Sequence, residues 1–131
     1  MNPENLKAGF KAREEVLGKE NVEKFIENTN EFNQPFHELA MEYCWGDIWN
    51  RPGLDRRTRS LVNLGILTAL NYQNELSIHL SGAIRNGCTK EEIQEVLLQC
   101  SIYCGVPAAG TSIATANAFF QELEKEQQRG D

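Results

Sequence analysis

No apolar stretch in this 131-residue chain approaches the roughly 20 residues of a membrane span, because Arg, Asn, Glu or Gln interrupts each one early. The opening Met-Asn-Pro-Glu-Asn-Leu-Lys has no apolar core of the kind a secretory leader needs. Together these absences predict a soluble, cytoplasmic protein with no membrane partner. Basic residues are scarce: 13 Lys and Arg stand against 19 Asp and Glu, for a formal net charge of −6. A general nucleic-acid binder is excluded, since neutralising phosphates takes a concentrated basic face. The chain holds no Gly-x-Gly-x-x-Gly, P-loop, His-Glu-x-x-His or Gly-x-Ser-x-Gly string, so nucleotide binding, zinc proteolysis and serine hydrolysis lack support. It also lacks Cys-x-x-Cys, and Cys44, Cys88, Cys100 and Cys104 are expected to be reduced and mostly buried.

What is present is helical. Alternating strand patterns and internal repeats are missing, and the apolar residues recur at helical spacing. Hydrophobic content of 40% with 24% charge suits one compact domain over 1–131. The punctuation predicts an all-α fold of about six helices. Helical stretches run over 3–17, ended by Gly18, over 20–32, and over about 36–48 after Asn33-Gln34-Pro35. Pro52-Gly53 marks a turn, and Asp55 can cap the helix that follows to about 71. With Leu61, Val62, Leu64, Ile66, Leu67 and Leu70, that helix is expected to be the central buried element. A further helix ends at Asn86-Gly87, and Thr89-x-x-Glu92 forms a capping box for the next, which reaches Tyr103. Gly105 and Pro107 open a last helix to about 124, beyond which the charged tail is expected to fray.

Two constellations carry chemistry. Glu75 and His79 stand four residues apart on one helix face, as a proton-handling pair or as a solvated helical ion pair. With one carboxylate and one histidine, a metal site has too few donors; no metal or cofactor is expected, and the chemistry is acid/base. Four of the seven arginines, Arg51, Arg56, Arg57 and Arg59, fall within nine residues, and no lysine occurs between Lys24 and Lys90. Guanidinium groups bind carboxylates two-pronged, so the cluster reads either as an anion clamp or as internal partners for Asp47, Asp55 or acidic groups of neighbouring helices. Trp45 and Trp49, at i and i+4 before this turn, are core or interface residues, and one indole is placed to wall a small-molecule pocket.

Four stretches, Tyr43 to Val62, Asn74 to Leu80, Arg85 to Val96 and Ile102 to Ala109, closely resemble the γ-carboxymuconolactone decarboxylase family, with the likeness running from about 36 to 120. The resemblance implies a small helical protomer of the alkylhydroperoxidase D-like type, assembling into a ring-like homo-oligomer, with a hexamer favoured and a trimer possible. It implies cofactor-free conversion of γ-carboxymuconolactone to β-ketoadipate enol-lactone in protocatechuate catabolism. Glu75 and His79 would then be catalytic, with Arg51, Arg56, Arg59 and Trp45 binding the carboxylated lactone. Two other readings accompany it. The redox branch of this fold uses Cys-x-x-Cys-x-x-x-His, and aligning its histidine on His79 puts Tyr72 and Glu75 at the cysteine positions, so a thiol-dependent peroxidase would have to recruit Cys100 and Cys104. A non-enzymatic oligomeric binding protein would lack converging Glu75, His79 and Arg side chains. Asn74 stands where family members frequently have a second histidine.

Overall fold

A computed structural model describes residues 2–130 and shows an all-helical protein. Its elements are α1 (Pro3–Leu17), α2 (Lys19–Glu27), α3 (Gln34–Leu39), a π-helical segment (Ala40–Asp47), a 3-10 turn (Ile48–Asn50), α4 (Arg56–Leu70), α5 (Gln73–Arg85), α6 (Lys90–Tyr103) and α7 (Val106–Arg129). They form two compact units, the first ending at Arg59 and the second beginning at Ser60. No helix among the described residues is long and apolar enough to cross a membrane.

The first unit is organised by the crossing of α1 over the π-helical segment. Asn2 caps α1, its side chain accepting from the amides of Glu4 and Asn5. Asn5 Nδ2 then donates to the Glu42 carbonyl at 3.0 Å and to Asp47 Oδ1 at 2.9 Å, and Asn2 N donates to buried Glu42 Oε1 at 3.1 Å. Close approach needs two glycines. A Cβ on Gly9 would overlap the Met41 carbonyl, and one on Gly46 would overlap that of Asn5. Behind this crossing lie Ala12, Val16, Met41 and the stacked indoles of Trp45 and Trp49, 5.0 Å apart. Arg13 lies 4.1 Å over Phe25 and 5.8 Å over Trp45, and donates to Asn21 Oδ1 at 2.9 Å; burial pushes its guanidinium pKa down.

The second unit packs Leu64, Leu76, Leu80, Ala83, Ile93, Leu97, Ala116 and Phe120 into one core. Its joints follow local chemistry. Asn71 takes a left-handed φ of 59°, which asparagine tolerates, between α4 and α5. Gly87, at φ 94°, ends α5, and the Thr89/Glu92 capping box starts α6, with Thr89 N donating to Glu92 Oε1 at 2.9 Å and Glu92 N to Thr89 Oγ1 at 3.1 Å.

Among the described residues there are seven α-helices, close to the six or so expected. Four finer expectations change. The helix expected over 36–48 is α3 followed by the π-helical segment and the 3-10 turn; the widened turns bring Gly46 against α1. Next, α4 is not a wholly buried helix: only Ser60, Leu64 and Thr68 are buried, a stripe of i, i+4 spacing, while Val62, Ile66 and Leu70 are about half exposed. Finally, α7 does not fray at 124 but runs to Arg129, because nothing before Gly130 breaks it and Arg129 Nη2 pairs with Glu122 Oε1 at 3.0 Å. The thiols also divide evenly: Cys88 and Cys100 are buried, whereas Cys44 and Cys104 are exposed.

Asp55 caps α4, accepting from Thr58 N at 2.7 Å. Hydrogen bonds from the Thr58 side chain and amide hold its carboxyl below the ordinary aspartate value. A depressed folded-state value means that this contribution is complete above the unfolded-state value and is lost as pH falls through the folded one. The melting-temperature gap between wild type and Asp55→Ala should therefore shrink on acidification below the usual aspartate range. A gap that stays constant with pH would show that the cap acts without its charge.

Candidate functional site

Glu75 lies in the first turn of α5 and His79 one turn on. Leu76, Leu80 and Ala83 are buried along the helix and hold its rotation, which leaves Glu75 exposed and His79 half-buried, with Nδ1 shut away from solvent. At this spacing the two Cβ atoms lie about 5–6 Å apart, on one face. The acid also sits where the helix dipole favours a negative charge.

Sequence reasoning missed the polar joint beneath this turn. Gln73 Nε2 donates to Ser112 Oγ at 3.2 Å and to Asn71 Oδ1 at 3.1 Å, while Thr115 Oγ1 donates to Gln73 Oε1 at 2.7 Å. Ser112 is fully buried. One amide side chain therefore ties the left-handed Asn71 and the start of α5 to α7, two residues ahead of Glu75. In the sequence, the run of small residues from Ala108 to Ser112 suits close helix contact and does not single out this bond.

The arginine cluster and Trp45 belong to the first unit. Arg56 is held by Glu15 Oε2 at 2.9 Å and Asn50 Oδ1 at 2.8 Å, and reaches the Trp49 carbonyl at 3.5 Å. Asn50 in turn donates to the Trp45 and Gly46 carbonyls at 3.2 and 3.0 Å. Arg56 thus braces the turn after the two indoles. Arg59 Nη2 donates to the Arg51 carbonyl at 3.2 Å, and Arg51 itself is exposed. Among the described residues, Arg59 Nε is buried with no hydrogen-bond partner. Leaving such a donor unsatisfied costs about 1–3 kcal/mol, more for a charged group, so a bound acceptor there would be favoured. Trp45 is 5% exposed and stacked on Trp49.

Glu75 and His79 are thus brought together by one helix, and Arg51 and Arg59 by a backbone bond. Among the described residues, no three His, Cys, Asp or Glu side chains are grouped to hold a metal ion. Two grooves run along α6 in the second unit. One, of about 560 Å³, has Leu61, Gly65, Val96 and Cys100 in its lining; the other, of about 350 Å³, has Ile93, Leu97, Ala116 and Phe120. Neither is lined by Glu75 or His79.

Comparison with known proteins follows the same residues. The model of the carboxymuconolactone decarboxylase family matches 34–118. A 4-carboxymuconolactone decarboxylase from Acinetobacter baylyi is 44% identical over 124 residues, covering 94% of this chain and 92% of the relative. A nitrosuccinic acid decarboxylase from Metarhizium robertsii is 46% identical over 100 residues, covering 76% of this chain and 70% of that protein. With that match across most of the helical chain and two decarboxylases among its relatives, the protein is a carboxy-lyase and belongs to the carboxymuconolactone decarboxylase family.

Proposed function

We propose that the chain removes CO2 from γ-carboxymuconolactone, without a cofactor, by pairing oxyanion stabilisation with proton delivery in protocatechuate catabolism. The observation that carries this reading is the Glu75–His79 pair on one face of α5, in a chain 44% identical to a 4-carboxymuconolactone decarboxylase. Breaking the bond from the γ-carbon to its carboxylate sends the electron pair through the ring double bond to the lactone carbonyl. The resulting dienolate is then protonated on the α-carbon. Such a reaction needs a donor aimed at the oxyanion and a proton source beside the α-carbon. His79, half-buried on that face, takes one of those tasks. Glu75 orients the ring or delivers the proton.

Arg51 and Arg59 hold the acetate arm in this reading. A strong grip on the departing carboxylate would oppose its conversion to neutral CO2, so the clamp belongs on the arm that stays. Arg56 and Trp45 support that turn through Asn50. Arg51→Ala should raise KM about 10- to 100-fold, the equivalent of losing a charge-assisted hydrogen bond of about 1.5–3 kcal/mol. An unchanged KM removes Arg51 from the site.

The deciding experiment follows the loss of γ-carboxymuconolactone absorbance with purified protein. A second reading, favoured by the 46% identical relative, is nitrosuccinate: there the nitro group beside the departing carboxylate takes up the electron pair in place of the lactone carbonyl. Comparing kcat/KM for the two acids discriminates between them. Turnover of neither would defeat both.

The same proposal includes a ring-like homo-oligomer, a hexamer with a trimer as the alternative. Phe32, Phe36, Leu39 and Tyr43 are all more than half exposed and recur at i, i+4, i+7 and i+11 along α3 and its flanks, a stripe suited to burial against a second copy. Sedimentation measures it directly: a 14.8 kDa monomer at micromolar concentration contradicts the assembly.

A further inference from the structure

We propose that Cys100 and Cys104 form a reversible dithiol–disulfide site that exchanges with a small-molecule disulfide such as oxidised glutathione. The two residues occupy the last turn of α6 and its cap, where Cys104 N donates to the Cys100 carbonyl at 2.7 Å. Cys104 is exposed. Cys100 is 6% exposed, yet it lines the groove between α4 and α6, where its Sγ lies 4.0 Å from the position a Cβ on Gly65 would occupy. The thiol therefore rests against bare backbone. The turn that carries the pair is also a joint: Cys104 has left ideal helical geometry, at φ −107° and ψ −14°, and Gly105 follows at φ 96°.

Helix geometry sets what the pair can do. Cα atoms at i and i+4 are about 6 Å apart, inside the roughly 4.4–6.8 Å range of disulfides, whereas Cβ atoms about 5–6 Å apart exceed the roughly 4.5 Å limit. Closing the bond thus requires opening the last turn at the Cys104 amide. Because Cys104 sits at the cap, next to a glycine joint, this movement can stay local. The strain it leaves makes the bond readily reduced, the mark of a labile rather than a structural disulfide.

The order of events follows from exposure. Cys104, as its thiolate, attacks one sulfur of the small disulfide; the S–S bond breaks, and the first small thiolate leaves and takes a proton from water. Cys100 then releases its proton to water and attacks Cys104 Sγ, and the second small thiol departs. Two protein S–H bonds are exchanged for one S–S bond, and the small disulfide is reduced to two thiols. Burial pushes the Cys100 thiol up, and so does the neighbouring Cys104 charge. The mixed disulfide removes that charge, so Cys100 reacts second.

Mass spectrometry of the whole protein, in a Cys44→Ser background to silence the other exposed thiol, tests this. Oxidised glutathione should produce the loss of two hydrogens per chain, mapped to a Cys100–Cys104 link and reversed by a dithiol reductant. Cys100→Ser should instead hold one stable glutathione on Cys104, and Cys104→Ser should take up none. Cys100→Ala serves as the second variant should serine disturb the groove, with circular dichroism checking the fold. A stable glutathione adduct with both cysteines present, a link between two chains, or no reaction overturns the proposal.

Discussion

Replacing His79 by alanine should lower the decarboxylation kcat by about 10²–10⁴-fold, or about 2.7–5.5 kcal/mol, with the protein still folded. The size follows from the role: a positioned donor acts on charge that exists only after CO2 has begun to leave, so its loss falls on kcat more than on KM. His79 is half-buried and lies outside the Leu76, Leu80 and Ala83 stripe, so alanine there should cost little in packing. Glu75→Gln keeps the shape and removes the charge; it should also slow turnover, but by less if the acid only orients the ring. Single-turnover kinetics with thermal melts alongside separate chemistry from folding. Full turnover in a folded His79→Ala protein would place the proton chemistry on other residues.

The largest effect on stability is expected from Gly9→Ala. A Cβ at this position meets the carbonyl carbon and oxygen of Met41 and the Gly46 amide nitrogen. These are backbone atoms in a buried crossing, which cannot swing aside as a side-chain tip would. Relief therefore requires α1 to lift from the π-helical segment, loosening the Asn5 bonds to Glu42 and Asp47. We expect a loss of about 3 kcal/mol, at the upper end of overpacking costs, read as a lower denaturant midpoint. A matched Gly53→Ala, where a Cβ meets nothing within 4 Å, should be nearly neutral. Equal midpoints for the two variants would mean that the crossing gives way easily.

Much of the fold was legible because its determinants are local. The Thr89/Glu92 capping box, the Asp55 cap and the break at Gly105 each depend on residues within one turn, and each is found in the structure. The misreadings share a different origin. Apolar content showed which residues of α4 could be buried, but Ser60, Leu64 and Thr68 were selected by their neighbours. The π-helical register over Ala40–Asp47 has no composition signature; it accompanies the meeting of Gly9 and Gly46 with backbone 32 to 41 residues away.

The same division holds for the site. Sequence alone determined that an acid and an imidazole share a face of α5, that arginines crowd one turn, and which family the chain resembles, since spacing and motif order are properties of the chain itself. Tertiary structure decided what those residues are free to do. It held Arg56 between Glu15 and Asn50, buried Trp45 against Trp49, left Arg59 Nε in need of an acceptor, and tied the start of α5 to α7 through Gln73. These outcomes depend on which surfaces meet, and helical periodicity leaves the pairing of surfaces open.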